Sequence, residues 1–269
     1  MNSIELAKRI RIDVLHMVHN AHASHIGSAF SIADVLAVLY ADILKYDVEN
    51  PKWAERDRVV LSKGHAGSAL YAVLGEVGFF DKEQLNEYGQ NGSPFSEHIS
   101  HKGIPGIELS TGSLGHGVCV ATGMALAAKI DAIPCRVYAI VGDGECDEGS
   151  FWETVMFANQ YNLSNFTVII DRNNMQAMGN TDSVISTGDL AKKISEFGWN
   201  ALTIDGNNHP AILSALQTKF DNGKPVCIVA NTIKGKGVSF MENQLIWHYR
   251  DPQGEFYEKA LEELGGEKK

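Results

Sequence analysis

The stretch Gly142 to Asn174 constrains the chain most. It reads GDGECDEGSFWETVMFANQYNLSNFTVIIDRNN. Ahead of it, Val137–Val141 is a short apolar run rich in β-branched residues, the pattern of a buried strand. Gly142-Asp143-Gly144 ends that strand sharply. Between Phe151 and Tyr161, residues Trp152, Val155, Met156 and Asn159 fall at helical offsets, and Phe166–Ile170 is a second buried strand. Strand, helix and strand make one βαβ unit with a parallel pair. Asp143 and Asn174 then stand at the carboxyl ends of neighbouring strands, where ligands bind in open α/β sheets. A carboxylate, an amide oxygen and loop carbonyls are hard donors suited to Mg²⁺ or Ca²⁺, with phosphate oxygens and water completing the shell. The glycines flanking Asp143, Gly144 among them, let backbone N–H groups approach such a phosphate.

The GDG segment, followed after one helix and one strand by NN, resembles the thiamine-diphosphate motif. The chain from Ser24 to about His248 resembles the diphosphate-binding half of transketolases. The resemblance implies an α/β fold, a three-layer parallel sheet flanked by helices, with residues 1–269 forming a single diphosphate-binding domain. It also implies thiamine diphosphate and Mg²⁺ (or Ca²⁺) as cofactors, with Asp143, Asn174 and the carbonyl of Gln176 on the metal.

The rest of the chain fits that frame. Ile4–Val18 is amphipathic, with Leu6, Ile10, Val14 and Val18 on one stripe. Ser24–Ser28 is a small-residue loop carrying His25, and Ser31 with Asp34 has the spacing of a capping pair for a helix running to Tyr40. Arg58–Ser62 reads as a strand that turns through Lys63-Gly64-His65 into a helix, Ser68–Glu76. A histidine at a helix N-terminus suits an anion. By resemblance His65 takes the cofactor diphosphate and His25 faces the substrate, although the family usually has Pro where Ile26 stands.

Asp81–Tyr88 is a short capped helix. Gln90–Gly106 is a polar loop with two histidines, and long loops inside compact domains are often functional. The family histidine lies eight residues before the glycine of its PG-(I/V)-E segment. That spacing selects His98 over His101, which reads as a solvated neighbour. Gly112, Ser113 and Leu114 belong to a TGSLG loop that touches the cofactor in the family. His116 stands where the family usually has glutamine. A small-residue helix, Val118–Lys129, follows. Glu148 matches a family glutamate that links the two sites of a dimer; it also reads as an ordinary glutamate at a helix start.

Further helices are expected at Asp189–Phe197, Ala211–Phe220 and Glu255–Leu264, strands at Trp199–Ile204 and Pro225–Ala230, a loop at Gly179–Gly188 and a frayed tail at Gly265–Lys269. Lys234-Gly235-Lys236-Gly237 reads as a solvated basic loop. His248 matches a family histidine that reaches both cofactor and substrate. The resemblance thus implies His25, His98 and His248 as catalytic groups, with His65, Gly112, Ser113, Leu114, Gly144, Asn174 and His248 on the cofactor.

A net charge of −10 gives no basic face for nucleic acid. Cys119, Cys135, Cys146 and Cys227 lack CxxC spacing and read as reduced core thiols. With no signal-peptide pattern and no apolar run near 18 residues, a cytoplasmic chain with no membrane contact is expected. In transketolases the carboxylate that activates the cofactor's pyrimidine lies in a second domain. The resemblance therefore implies the N-terminal subunit of a split transketolase. Such an enzyme transfers a two-carbon ketol unit between sugar phosphates, in an α2β2 heterotetramer with a pyrimidine-binding subunit. The E1 α subunit of a 2-oxo acid dehydrogenase also carries GDG and NN, a 1-deoxyxylulose-phosphate synthase fragment is conceivable, and a catalytically dead regulatory homologue is a reading of another class.

Overall fold

The structure, a computed structural model, describes residues 1–266. Strands β1 (Arg58–Leu61), β2 (Val137–Gly142), β3 (Phe166–Arg172), β4 (Asn200–Asp205) and β5 (Val226–Asn231) form one sheet, ordered β1-β2-β3-β5-β4. Every neighbouring pair is parallel. Alternation along the strands divides the core in two. Leu61, Ile140, Ile169 and Ile228 face helices α1 (Ser3–Ala21), α3 (Ala33–Val38), α4 (Gly67–Glu76), α9 (His209–Gln217) and α10 (Glu255–Glu263). Val60, Val141, Ile170 and Val229 face α5 (His116–Ile130), α6 (Gly149–Gln160) and α8 (Leu190–Glu196). This is the expected three-layer arrangement. Because both faces are covered, β2 and the middles of β3 and β5 are apolar runs, while the edge strand β4 is half-exposed.

Several local expectations hold for simple reasons. The α1 stripe of Leu6, Ile10, Val14 and Val18 is buried. Asn2 caps that helix by accepting the Glu5 N–H at 2.9 Å. Asp81 caps a short 3₁₀ turn, Lys82–Glu87, and Asp189 caps α8. Helix α9 starts at His209, capped by Asn208 with Pro210 in its first turn. All four cysteines are free, and three of them are buried.

Four expectations are corrected. Ser31 and Asp34 do not form a capping pair. Ser31 ends a helix of its own, α2 (Ile26–Ser31), and its hydroxyl donates to the Ser28 carbonyl and to Asp171 at 2.6 Å. Asp34 instead forms a buried pair with Arg11 at 2.7 Å. Tertiary partners thus outcompete the local cap. The segment Ser24–Ser28 is not all loop, because α2 begins within it. The Gly179–Gly188 loop contains a helical turn, α7 (Thr181–Val184). Gly265 and Gly266 are not frayed. Gly265, at φ +62°, donates to the Glu262 carbonyl and Gly266 to that of Leu261, closing α10 with a C-terminal glycine cap. The remainder of the expected frayed tail, 267–269, lies outside the described residues.

Candidate active site

Loops at the carboxyl ends of β1, β2, β3 and β5 meet around a cavity of about 320 Å³. After β1 the chain is stitched to two other loops. A Cβ at Gly64 would lie 2.5 Å from the Thr111 carbonyl, so only glycine lets the Thr111–Leu114 loop pack there. Ile99 donates to the Gly64 carbonyl at 3.2 Å, and Thr111 donates to Ile99 at 3.2 Å. This ladder sets the His98 ring over Gly112.

Beneath the cavity lies a fully buried polar core. The Asp171 carboxylate accepts from Lys63 Nζ, Ser31 Oγ, Thr232 Oγ1 and Asn173 Nδ2. Burial would raise the Asp171 pKa, but the Lys63 ammonium and the hydrogen bonds from Lys63, Ser31 and Thr232 together outweigh it, and the net direction is down. Four acceptor contacts on one carboxylate thereby lock the ends of β1, β3 and β5 to α2.

After β2, Asp143 is 2% exposed. Its Oδ1 accepts the Gly144 N–H at 2.9 Å and its Oδ2 the Thr181 hydroxyl at 2.9 Å. Desolvation, with Asp171 nearby, pushes this carboxyl up to about 6. Glu145 is buried as well, and accepts from Ser62 Oγ, from Gly115 N at 2.8 Å and from Gly142 N at 3.3 Å. Burial pushes it up. Glu145 is a brace, tying the β1 end, the Gly112–Gly115 loop and the Gly142–Gly144 loop together.

Four histidine rings surround the opening. His25 lies 5.3 Å from His65, 5.5 Å from His98 and 5.0 Å from His248, measured between ring centroids. Burial holds His25 and His65 below the ordinary histidine value, and it takes His248, beside the Lys234 ammonium, down to about 3. For His25 the neighbouring Glu97 carboxylate works against burial. The two are within reach at 3.3 Å, but among the described residues His25 Nδ1 has no hydrogen-bond partner. In all three rings burial favours the uncharged form.

Of the residues expected at the site, His25, His65, His98, His248, Gly112, Leu114, Asp143, Gly144 and Gln176 line the cavity. Ser113, Asn174 and Glu148 do not, and all three are exposed. Asn174 adopts φ +60° and points out of the cavity wall, into an adjoining depression. The wall instead carries Asn173, 5% exposed, followed by Met175. Glu148 sits just before α6 without capping it. His101 is exposed and bonded to Ser110 at 2.7 Å. The solvated reading of the Lys234 loop is overturned for Lys234 itself, which is 1% exposed and lines the cavity.

Lys63, Lys234, Glu145, Asn173 and Met175 are site residues that sequence reasoning missed. For Asn173 the sequence offered a neighbouring, chemically identical Asn174, and the left-handed backbone at Asn174 decides between them. The others carried no signal, because only tertiary packing buries them.

Residues 3–251 match a family described as the thiamine diphosphate binding domain of transketolase. The chain belongs to the transketolase family. It is 40% identical to one of the subunits of the apulose-4-phosphate transketolase of Phocaeicola vulgatus, over 98% of this chain and 94% of that protein. It is 43% identical to a 6-deoxy-6-sulfo-D-fructose transketolase subunit of a Clostridium species, over 96% and 94% respectively. Among solved structures, the transketolases of Leishmania mexicana and Campylobacter jejuni superpose with a TM-score of 0.91 each, at 28% and 32% identity. Both superpositions cover 99% of this transketolase-family chain, but only 42% and 44% of those proteins.

Proposed function

We propose that the chain is the thiamine-diphosphate-binding subunit of a two-chain transketolase that moves a two-carbon ketol unit from a ketose phosphate to an aldose. The observation that carries this reading is the convergence of Asp143, Asn173, His65 and two lysines on one cavity, ringed by His25, His98 and His248. The near end-to-end match to proteins named as transketolase subunits supports the division into two chains.

The residues fit the cofactor. Asp143 is a desolvated carboxylate whose hydrogen bonds among the described residues come only from the Gly144 N–H and the Thr181 hydroxyl, so a divalent ion would relieve it. Among the described residues no three His, Cys, Asp or Glu side chains gather around a metal position. The ion would depend on Asp143, on amide and carbonyl oxygens from the 173–176 turn and on the ligand's own phosphates, as Mg²⁺ does. Asn174, expected on the ion, is less well placed than Asn173. Gly142 and Gly144 line the cavity without side chains, so a diphosphate can come close to the backbone there, although their N–H groups already donate to Glu145 and Asp143. His65 and Lys234 offer donors.

Bound there, thiamine diphosphate supplies an electron sink for cleaving and forming carbon–carbon bonds. The chain's own part is positioning and proton management. His25, His98 and His248 ring the cavity where hydroxyl and carbonyl oxygens of a sugar would lie, and imidazoles can hydrogen-bond such atoms or move a proton at them. The partner would supply the pyrimidine-binding wall and exclude water. Val120 on α5, with Met156 and Phe157 on α6, leaves apolar surface exposed that suits cover by another chain. An α2β2 assembly, Mg²⁺, sugar phosphate substrates, carbohydrate metabolism and a cytoplasmic setting complete the reading. Among the described residues no helix is long and apolar enough to cross a membrane.

The test is to purify the chain, add a candidate pyrimidine-binding chain, and assay ketol transfer with each alone and both together. Activity only in the mixture, dependent on thiamine diphosphate and Mg²⁺, is expected. Robust turnover by this chain alone would overturn the two-chain reading. Heat denaturation unaffected by cofactor and Mg²⁺ would overturn the cofactor reading, because a ligand specific to the native state must stabilise it.

A further inference from the structure

Lys234 is the least expected group in the cavity wall. It follows β5 on a loop pinned at both sides. Gly235 donates to the Gly27 carbonyl at 3.0 Å, and Asn243 donates to the Lys234 carbonyl at 2.8 Å. The side chain runs under α2, where a Cβ on Gly27 would stand 3.2 Å from Lys234 Cγ. Its Nζ donates to the Met175 carbonyl at 3.3 Å and lies 2.9 Å from His248 Nδ1. The Asp171 carboxylate nearby is already held by Lys63.

We infer that Lys234 is a positioning residue that fixes the tautomer of His248, so that this ring offers the cavity an N–H donor and not a lone pair. A lysine ammonium has three N–H bonds and no acceptor. At 2.9 Å the contact is therefore a hydrogen bond only if Nδ1 carries the lone pair. A neutral imidazole with its lone pair at Nδ1 has its proton at Nε2. Protonating both nitrogens would set two cationic donors against each other in a buried place. The ring cannot turn away easily, because the His248 carbonyl accepts the His25 N–H at 2.8 Å and the ring stands edge-on to both His25 and Tyr249. With Nδ1 committed, Nε2 is the nitrogen left to serve the cavity that His248 lines.

The chemical consequence is a division of roles. A fixed Nε2–H can hold a carbonyl, hydroxylate or phosphate oxygen. It cannot take a proton from a substrate hydroxyl. Base chemistry in the cavity then falls to rings without such a partner. The inference rests on the proposed function only for what the donor serves.

The tautomer itself is read without partner, cofactor or turnover, so the two can fail separately. The experiment uses the full chain with ¹⁵N-labelled histidine at neutral pH, and reads the side-chain nitrogen spectrum. The His248 signals are assigned by their loss in His248→Gln. The expected wild-type pattern for His248 is the neutral Nε2–H ring. Lys234→Met should abolish that pattern in favour of a mixed or Nδ1–H ring. Lys234→Arg, which keeps donors without a lone pair, should retain it. The exposed His101 should not move in any variant. An Nδ1–H or doubly protonated His248 in the wild type overturns the inference, as does an unchanged Nε2–H ring in Lys234→Met. Should the Met variant not fold, the wild-type spectrum decides by itself.

Discussion

The main-chain N–H of His25 donates to the carbonyl of His248 at 2.8 Å, so a residue near the start of the chain and one near its end share a fixed spacing in the cavity wall. His25 makes that bond from φ +70°, a left-handed conformation that is costly for a side chain other than glycine or asparagine. The strain is held by α2, whose first turn closes on the His25 carbonyl through Ser28 and Ala29. Backbone geometry and ring position are therefore separable by mutation.

His25→Asn keeps a residue that tolerates the left-handed backbone. It should leave the melting temperature within a few degrees of the wild type. It should lower kcat and kcat/KM together in the reconstituted enzyme, with the cofactor Kd nearly unchanged. His98→Ala should behave likewise. His65→Ala should instead raise the cofactor Kd. Calorimetry of cofactor binding checks all three, and an equal loss of cofactor in each would refute the division.

Asp143→Asn should remove most of the Mg²⁺-dependent cofactor affinity, on the order of 100-fold, since the variant loses the carboxylate placed for the ion. The ligand-free variant should be at least as stable as the wild type. A carboxyl pushed up to about 6 is one whose ionised form the fold disfavours. Calorimetric titration with and without Mg²⁺ measures the first effect, and urea denaturation the second.

Asp171 carries the buried network, and Asp171→Asn should cost about 3–5 kcal/mol by leaving Lys63 charged and unpaired. The double variant Lys63→Met, Asp171→Asn should recover part of that loss, because no buried charge then lacks a partner. A double-mutant cycle in urea gives the coupling directly. Additive losses would mean that the pair is not coupled.

Acid should weaken the ligand-free chain from the histidine side. Burial holds His25, His65 and His248 below the ordinary value of 6.5. The unfolded chain therefore binds more protons than the folded one as the pH falls below 6.5. Stability is complete above that value and falls as pH drops toward the folded values, by up to about 1.4 kcal/mol per ring per pH unit. For His248 the window extends to about 3. Asp143 acts in the opposite sense: its contribution is full below 3.8 and is lost as pH rises through about 6. It thus offsets one ring below about 6. Denaturation midpoints across pH should show His65→Gln flattening the acid loss and Asp143→Asn steepening it below pH 6.

The sheet was legible because parallel strands buried on both faces read as plain apolar runs, and Val137–Val141 and Phe166–Ile170 carry no competing signal. Asp143 and the histidines were legible because the resemblance supplied positions that composition cannot. The misread residues fail for identifiable reasons. Ser31 and Asp34 have cap spacing, but Asp171 and Arg11 reach them first. Asn173 and Asn174 are chemically identical, and only the left-handed turn at Asn174 decides which one faces inward. Lys234 sits in a Lys-Gly-Lys-Gly sequence that looks solvated, and its burial depends on Gly27, more than two hundred residues earlier in the chain.

The placement of Lys234 has a kinetic consequence. The chain carries a net charge of −10, so its far field repels a diphosphate in solution. The buried ammonium attracts the same anion only at short range. Added salt shortens the reach of the outer repulsion to about 8–10 Å at physiological strength, while a desolvated contact inside the cavity is screened much less. Capture of a polyanion by this chain should therefore quicken as ionic strength rises from very low values, the reverse of the usual behaviour of a protein that meets its anionic ligand with an exposed basic face.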